Sequence, residues 1–124
     1  MAKFNIGEFY AGYKPEDIPA EVKKNLMILC DKSNEWGKLY PKPVLVKRGY
    51  RDPALNKKVG GSITSPHLSG LAVDYVDKDG QLALWFMNNI HLLRELGLHM
   101  ENPQKTIGWV HLQIRPASLT IFNP

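Results

Sequence analysis

Two segments of the chain repeat apolar residues at the spacing of an amphipathic helix. The first begins near Pro19, which suits a first helical turn, and is expected to end at Gly37. Its apolar face comprises Val22, Leu26, Leu29 and Cys30. The second is expected to end at Gly97, a residue type that favours helix C-termini. Its apolar face comprises Leu82, Trp85, Phe86, Ile90, Leu93 and Leu96. The pattern therefore predicts two long helices, and Asp52-Pro53 predicts a short one between them.

Four shorter segments have the composition of β-strands, and they cover residues 43–47, 71–76, 98–101 and 109–114. A turn at 77–80 follows the second, and a polar loop joins the last two. We therefore predict an α+β fold in which two long helices pack against a small, mostly antiparallel sheet. The 124 residues contain no repeat and no long linker, so we expect one domain, residues 1–124.

Alternation along these strands separates three polar side chains from their apolar neighbours. In the segment 109–114 the apolar residues occupy alternate positions, so His111 lies on the opposite face. The same rule separates Glu101 from the apolar residues of its own segment, and it places both side chains on one face if the two strands are neighbours. Asp74 interrupts a hydrophobic run, which is costly unless its charge is paired or bound to a metal.

His67 lies in a loop of small residues, seven positions before Asp74. Two histidines and one carboxylate are usual protein ligands of a catalytic zinc, which keeps a fourth position open. His67, Asp74 and His111 are therefore candidate zinc ligands, and Glu101 is a candidate general base. Each of the three candidate ligands also has an ordinary structural interpretation. His67 could be an exposed turn residue, Asp74 could pair with a lysine, and His111 could be a core histidine. The other two histidines are expected to be structural or surface groups.

Composition and charge narrow the class of protein. The net charge of +4 favours polyanionic surroundings such as an anionic cell wall, although the basic residues are scattered. No stacking motif accompanies them, and no run of 18 apolar residues exists, so we expect neither a nucleic-acid partner nor a membrane partner. The lone Cys30 cannot form an internal disulfide. Residues 1–8 lack the apolar region of a signal peptide, so we expect synthesis in the cytoplasm. We also expect the protein to be a monomer.

The motif Ser-x-His-x-x-Gly-x-Ala-x-Asp at residues 65–74, followed by Trp-x-His at 109–111, resembles the signature of the zinc D-Ala-D-Ala carboxypeptidase family. This family includes VanX-like dipeptidases and many phage peptidoglycan endopeptidases. The segments 49–56 and 59–62 are similar to the Gly-Tyr-Arg region that precedes the family's Ser-x-His motif. Residues 4–9 and the first long helix resemble the start of the small, single-domain branch found in phages and prophages.

This resemblance implies a Hedgehog-like, D-Ala-D-Ala-peptidase-like fold with zinc bound by His67, Asp74 and His111. It also implies that Arg51 steadies the substrate and the tetrahedral intermediate, since a guanidinium presents fixed donors to an oxyanion or carboxylate. Ser65 matches a family residue that lies near the polar backbone of the substrate.

The general base is the point at which this chain departs from several family members. Some members carry Glu-x-x-His or His-x-His at the last ligand, whereas this chain has Gly108 and Trp109 at those positions. Glu101 is the nearest acidic candidate, and it resembles the glutamate that ends the penultimate strand in the small-domain branch.

The resemblance implies a zinc metallopeptidase that hydrolyses peptide bonds in peptidoglycan stem peptides or cross-links. Carboxypeptidase and endopeptidase specificity both stay open, and a phage endolysin, a virion-associated peptidase and a cytoplasmic dipeptidase fit the same residues. A lysis enzyme would act on the bacterial cell wall after its release from the cytoplasm. The alternative is a non-catalytic cell-wall or peptide-binding module, which would not need an acid or base at Glu101.

Overall fold

The computed structural model describes all 124 residues, which form five α-helices and five β-strands. The helices are α1 (Ile6–Tyr10), α2 (Ala20–Gly37), α3 (Pro53–Lys58), α4 (Gln81–Met87) and α5 (Ile90–Leu96). The strands are β1 (Val46–Arg48), β2 (Ala72–Asp77), β3 (His99–Glu101), β4 (Gly108–Gln113) and β5 (Ile121–Phe122). Single 3-10 turns lie at Pro15–Asp17, Pro66–Ser69 and Pro103–Lys105.

All five strands belong to one sheet with the order β1-β2-β4-β3-β5. Three neighbouring pairs are antiparallel, and only β3 and β5 run parallel. The prediction of an α+β fold with a mostly antiparallel sheet is therefore confirmed. No helix combines the length and the apolar character that crossing a bilayer requires.

The helices pack on one face of the sheet and enclose the hydrophobic core there. Trp36 of α2 is fully buried, and its ring centroid lies 5.2 Å from that of Tyr75 in β2 and 5.0 Å from that of Phe86 in α4. The inward residues of β4, Val110 and Leu112, are each 1% exposed. Because strand side chains alternate, the opposite face of the same strands is left for polar groups.

The predicted second long helix is wrong, because the structure divides it into α4 and α5 at Asn88 and Asn89. The backbone of Asn89 has φ −133° and ψ 39°, outside the helical region, and its side-chain amide donates to the carbonyl of Trp85 at 2.8 Å. Asparagine side chains compete with the helix for backbone groups in this way. The apolar pattern continues through the break because both short helices bury the same side, through Phe86 and Leu93.

The predicted first helix and the predicted short helix are confirmed as α2 and α3. The carboxylate of Asp52 accepts a hydrogen bond from the amide of Leu55 at 2.7 Å and thereby caps α3. The strand predicted at 43–47 instead occupies Val46–Arg48, since Pro43 has no N–H to donate. The short elements α1 and β5 have no counterpart in the prediction.

Candidate metal centre and active site

The polar face of the sheet carries a row of five side chains, one from each strand. Arg48 pairs with Asp74, and Asp74 pairs with His111 in the adjoining strand. The register of β3 against β4 places Glu101 beside His111, and Glu101 pairs in turn with Phe122. The row therefore runs from a cation at one edge of the sheet, through two acidic groups and a histidine, to an aromatic ring at the other edge.

His67 reaches this row from the 3-10 turn that precedes β2. Its backbone amide donates to the hydroxyl of Ser65 at 3.3 Å, and its backbone carbonyl accepts from the amide of Arg51 at 3.2 Å. The ring Nδ1 lies 3.0 Å from the carbonyl oxygen of Gly49, which acts as the acceptor, so Nδ1 carries the proton. The other ring nitrogen, Nε2, is directed at Asp74, with 3.4 Å between Nε2 and Oδ1.

Gly49 permits this arrangement because the chain passes very close to α1 at that point. A Cβ at residue 49 would lie 2.2 Å from the backbone oxygen of Phe9, an overlap that only glycine avoids. The next residue, Tyr50, donates its amide to that same oxygen at 3.0 Å. The glycine therefore places the carbonyl that orients His67.

The structure brings together the three residues predicted as metal ligands. His67, Asp74 and His111 each offer one ligand atom, and these atoms all lie within 4.8 Å of one another. Oδ1 of Asp74 lies 2.8 Å from Nδ1 of His111 and faces both imidazoles. All three residues are buried. Two imidazole nitrogens and one carboxylate oxygen form the donor set that catalytic zinc sites use, so these residues fit the metal.

The second nitrogen of His111 has a partner that the sequence analysis missed. Nε2 of His111 donates to the side-chain oxygen of Gln113 at 2.9 Å, and the Gln113 amide nitrogen donates to the carbonyl of Arg115 at 2.9 Å. This partner leaves Nδ1 as the ligand nitrogen of a neutral His111. The available signal was the position of Gln113, two residues after His111 and therefore on the same strand face.

Without a metal, Asp74 and His111 form a buried ion pair. Burial opposes the charge of Asp74, but the hydrogen bonds with His111 and His67 outweigh it and hold the pKa of Asp74 below its ordinary value. Burial likewise opposes the charge of His111, but the hydrogen bond with Asp74 outweighs it and raises the pKa of His111. A metal cation would replace the proton that this pair shares, because a ligating imidazole must be neutral.

Glu101 differs from Asp74 in having no partner. No cationic group lies within 4.0 Å of its carboxylate, whereas Asp74 has three. Burial raises the pKa of Glu101, and the nearby His111 partly offsets this effect. A half-buried carboxylate with a raised pKa and free oxygens suits proton transfer to and from a reacting molecule.

Arg51 and Ser65 stand at the side of the same cleft. The Nη2 of Arg51 donates to the hydroxyl of Ser65 at 2.9 Å, and the Nε of Arg51 is buried without a partner. The cleft has a volume of about 390 Å³ and is lined by all six residues predicted to act in the site: Arg51, Ser65, His67, Asp74, Glu101 and His111.

The other histidines lie outside this cleft. Nδ1 of His99 lies 2.9 Å from the carbonyl oxygen of Leu119, and His91 is exposed on α5. Their interpretation as structural or surface groups agrees with these positions. Two further lining residues, Arg48 and Phe122, had no role in the sequence analysis, since only strand pairing brings them to the row.

A mixed sheet whose polar face borders a cleft with a His-Asp-His group, a free carboxylate and a serine-anchored arginine defines a candidate metallohydrolase. The model of the Peptidase M15 family matches residues 7–113, and the chain belongs to this family. The match confirms the resemblance to the zinc D-Ala-D-Ala carboxypeptidases and VanX-like enzymes, and it indicates a peptidase. A search of curated proteins finds no match. Phe122 lines the cleft but lies beyond the matched residues.

Proposed function

We propose that this protein is a zinc-dependent peptidase that hydrolyses peptide bonds in peptidoglycan stem peptides or cross-links. The observation that carries the proposal is the single cleft in which a buried His-Asp-His group, an unpaired carboxylate and a serine-anchored arginine face one another. Membership of the Peptidase M15 family supports it, because members of this family typically depend on zinc. The D-Ala-D-Ala carboxypeptidase and endopeptidase activities are the two finer forms of the proposal.

Each residue of the cleft has a part in this chemistry. Zinc held by His67, Asp74 and His111 would supply a Lewis acid for the scissile carbonyl. Glu101 accepts a proton from the attacking water and returns it to the leaving nitrogen as the carbon–nitrogen bond breaks. Its position beside His111 in the sheet and its raised pKa both suit this exchange.

Arg51 stabilises the negative charge that develops on the carbonyl oxygen. Ser65 accepts from one nitrogen of its guanidinium, which fixes the plane of the remaining donors before the substrate arrives. Donors that are already oriented need no reorganisation during the reaction, and such groups commonly contribute two to three orders of magnitude in rate.

The proposed setting is the bacterial cell wall, reached after release from the cytoplasm, as for an enzyme of phage or prophage origin. The net charge of +4 supports this setting, since it favours association with an anionic wall. We propose a monomer whose partner is the peptide substrate, without nucleic acid or membrane.

The proposal is tested by digestion of purified peptidoglycan of several stem chemotypes with zinc-loaded protein. Mass spectrometry of the released fragments identifies the bond that is cut. We expect turnover to fall about 10²- to 10⁴-fold in Glu101→Gln, which removes the proton acceptor, while bound zinc is unchanged. Glu95→Gln is the matched control, because Glu95 is exposed on α5.

Two results would count against the proposal. Unchanged turnover in Glu101→Gln would exclude Glu101 as the base. Absence of turnover in the wild-type protein across all walls would favour the non-catalytic binding module instead.

A further inference from the structure

Arg48, at the β1 end of the row, is held in place at two points and is otherwise unpaired. Its Nη1 lies 3.3 Å from Oδ2 of Asp74, which is its only ion pair. The guanidinium carbon lies 5.4 Å from the ring centroid of Trp109, within the range of a cation–π contact. Nε and Nη2 have no hydrogen-bond partner in the protein, and 43% of the side chain is exposed.

The ion pair with Asp74 uses only one of the nitrogens of Arg48. A guanidinium presents five donors in a rigid plane, and that plane matches the two oxygens of a carboxylate. The contacts with Asp74 and Trp109 fix the direction of the plane before any ligand arrives. The two free nitrogens therefore form a preoriented receptor for an anion.

Two other cationic side chains, Lys47 and Arg51, lie at the edge of the cleft that Arg48 occupies, whereas the free carboxylate of Glu101 comes from β3 on the other side of His111. Nζ of Lys47 lies 4.9 Å from the same Trp109 ring. Arg48 and Arg51 line both the metal cleft and an adjoining cavity of about 430 Å³, to which Lys47 also contributes. The carboxylate nearest to Arg48 belongs to Asp74, which is buried and already paired with two histidines. This edge of the cleft therefore has donors that no acidic group of the protein satisfies.

We propose that Arg48, supported by Lys47 and Trp109, forms a subsite for a carboxylate of the peptide substrate. The inference rests on the proposed peptidase function and adds a specificity-determining residue to it, one that favours peptides with a free carboxylate close to the scissile bond. Asp74 contacts both Arg48 and the other two candidate ligands, so the substrate carboxylate belongs within about two residues of that bond, at ~3.3–3.6 Å per extended residue. Stem peptides with lysine at the third position present two such groups, the free carboxyl of their glutamate and the terminal carboxyl.

The test uses synthetic stem peptides in four forms, with a carboxylate or a carboxamide at the glutamate and at the terminus. The quantity measured is the ratio of kcat/KM between each carboxylate peptide and its carboxamide counterpart. We expect the wild-type protein to favour the carboxylate at one of the two positions by about 10- to 100-fold, the usual range for a hydrogen-bonded charged group. The position at which a carboxamide lowers kcat/KM, the glutamate or the terminus, identifies the carboxylate that Arg48 binds.

In Arg48→Gln this ratio should fall to near one. If the variant loses zinc, or if Asp74 shifts, kcat/KM falls equally for the carboxylate and the carboxamide peptide. The effect therefore cancels in the ratio. Arg48→Lys keeps the charge without the planar donors, so it should retain only part of the preference. Arg94→Gln removes the same charge from an exposed site on α5 and should leave the ratio at the wild-type value.

Binding separates failure of this inference from failure of the proposed function. The same four peptides are titrated calorimetrically into zinc-loaded Glu101→Gln protein, which keeps the subsite intact and requires no turnover. Preferential binding of the carboxylate form that depends on Arg48 supports the subsite even if no peptide is cut. Equal binding and equal kcat/KM for both forms, or a ratio unchanged in Arg48→Gln, would overturn it.

Discussion

Gln113 determines which nitrogen of His111 faces the candidate metal position, and its removal should weaken zinc binding. The glutamine side chain is 3% exposed and accepts a hydrogen bond from Nε2 of His111 at 2.9 Å. Gln113→Leu keeps a buried side chain of similar size but removes the acceptor. A neutral His111 then loses the contact that keeps its proton on Nε2 and its lone pair on Nδ1.

The size of the effect follows from this geometry. Loss of the hydrogen-bond partner of a ligating histidine typically lowers metal affinity 10- to 100-fold, or about 1.4–2.7 kcal/mol. His111 is only 9% exposed, so water cannot easily replace the lost acceptor. We therefore expect the upper part of that range for Gln113→Leu. Gln113→Glu keeps an acceptor oxygen at the same position and should bind zinc at least as tightly as the wild-type protein.

The assay is competition for zinc between metal-free protein and a chelator of known affinity at one fixed pH. Thermal unfolding of the metal-free variants is recorded alongside, because Gln113→Leu also removes the hydrogen bond to the carbonyl of Arg115. Equal zinc affinity in the wild-type protein and Gln113→Leu would show that Gln113 does not orient His111 for zinc binding. Weak binding in both variants would show that the volume and packing of the glutamine matter, rather than its oxygen.

Three further predictions concern the metal. Elemental analysis should find about one zinc per chain in the wild-type protein and in His99→Ala, and a loss of zinc in His111→Ala, which removes a ligand. Chelation should leave the far-UV circular dichroism unchanged, because the core does not include the ligands; unfolding would indicate a structural metal instead. Because the pKa of His111 is raised in the folded protein, protonation of His111 stabilises the metal-free fold, and it does so fully at pH values below about 6.5, the ordinary pKa of histidine. That stabilisation is lost as the pH rises through the folded-state pKa of His111. Zinc competes with the same proton for His111, so it binds more tightly as the proton leaves. Zinc affinity should therefore rise with pH from 6 to 8 while the Tm of the metal-free protein falls; a flat zinc affinity would contradict the assignment.

Alternation along the strands was enough to predict which side of the sheet Asp74, Glu101 and His111 occupy. A strand repeats every two residues, so a single apolar neighbour determines the face of each polar residue. The observed pairing of Asp74 with His111 agrees with that rule. His67 could not be placed in this way, because it lies in a 3-10 turn whose direction depends on Gly49 and α1 rather than on a repeating pattern.

The features that sequence reasoning missed depend on contacts between distant segments. The pairing of β5 with β3 spans two residues of each strand, too short for a sequence pattern, yet it brings Phe122 to the cleft. The ring centroids of Phe122 and His111 lie 6.0 Å apart. The break between α4 and α5 was missed for the opposite reason, since the apolar periodicity continues across Asn88 and Asn89 although the backbone does not.

The core also sets the register of the candidate site. Asp74 lies between Val73 and Tyr75, both fully buried on the helix side, and His111 lies between Val110 and Leu112. A slip of one residue in either strand would turn these apolar side chains to the polar face, so the hydrophobic core itself opposes it. The ligand positions are therefore held by packing on the opposite face of the sheet. Substitutions in the cleft should consequently change metal binding and turnover far more than they change the fold.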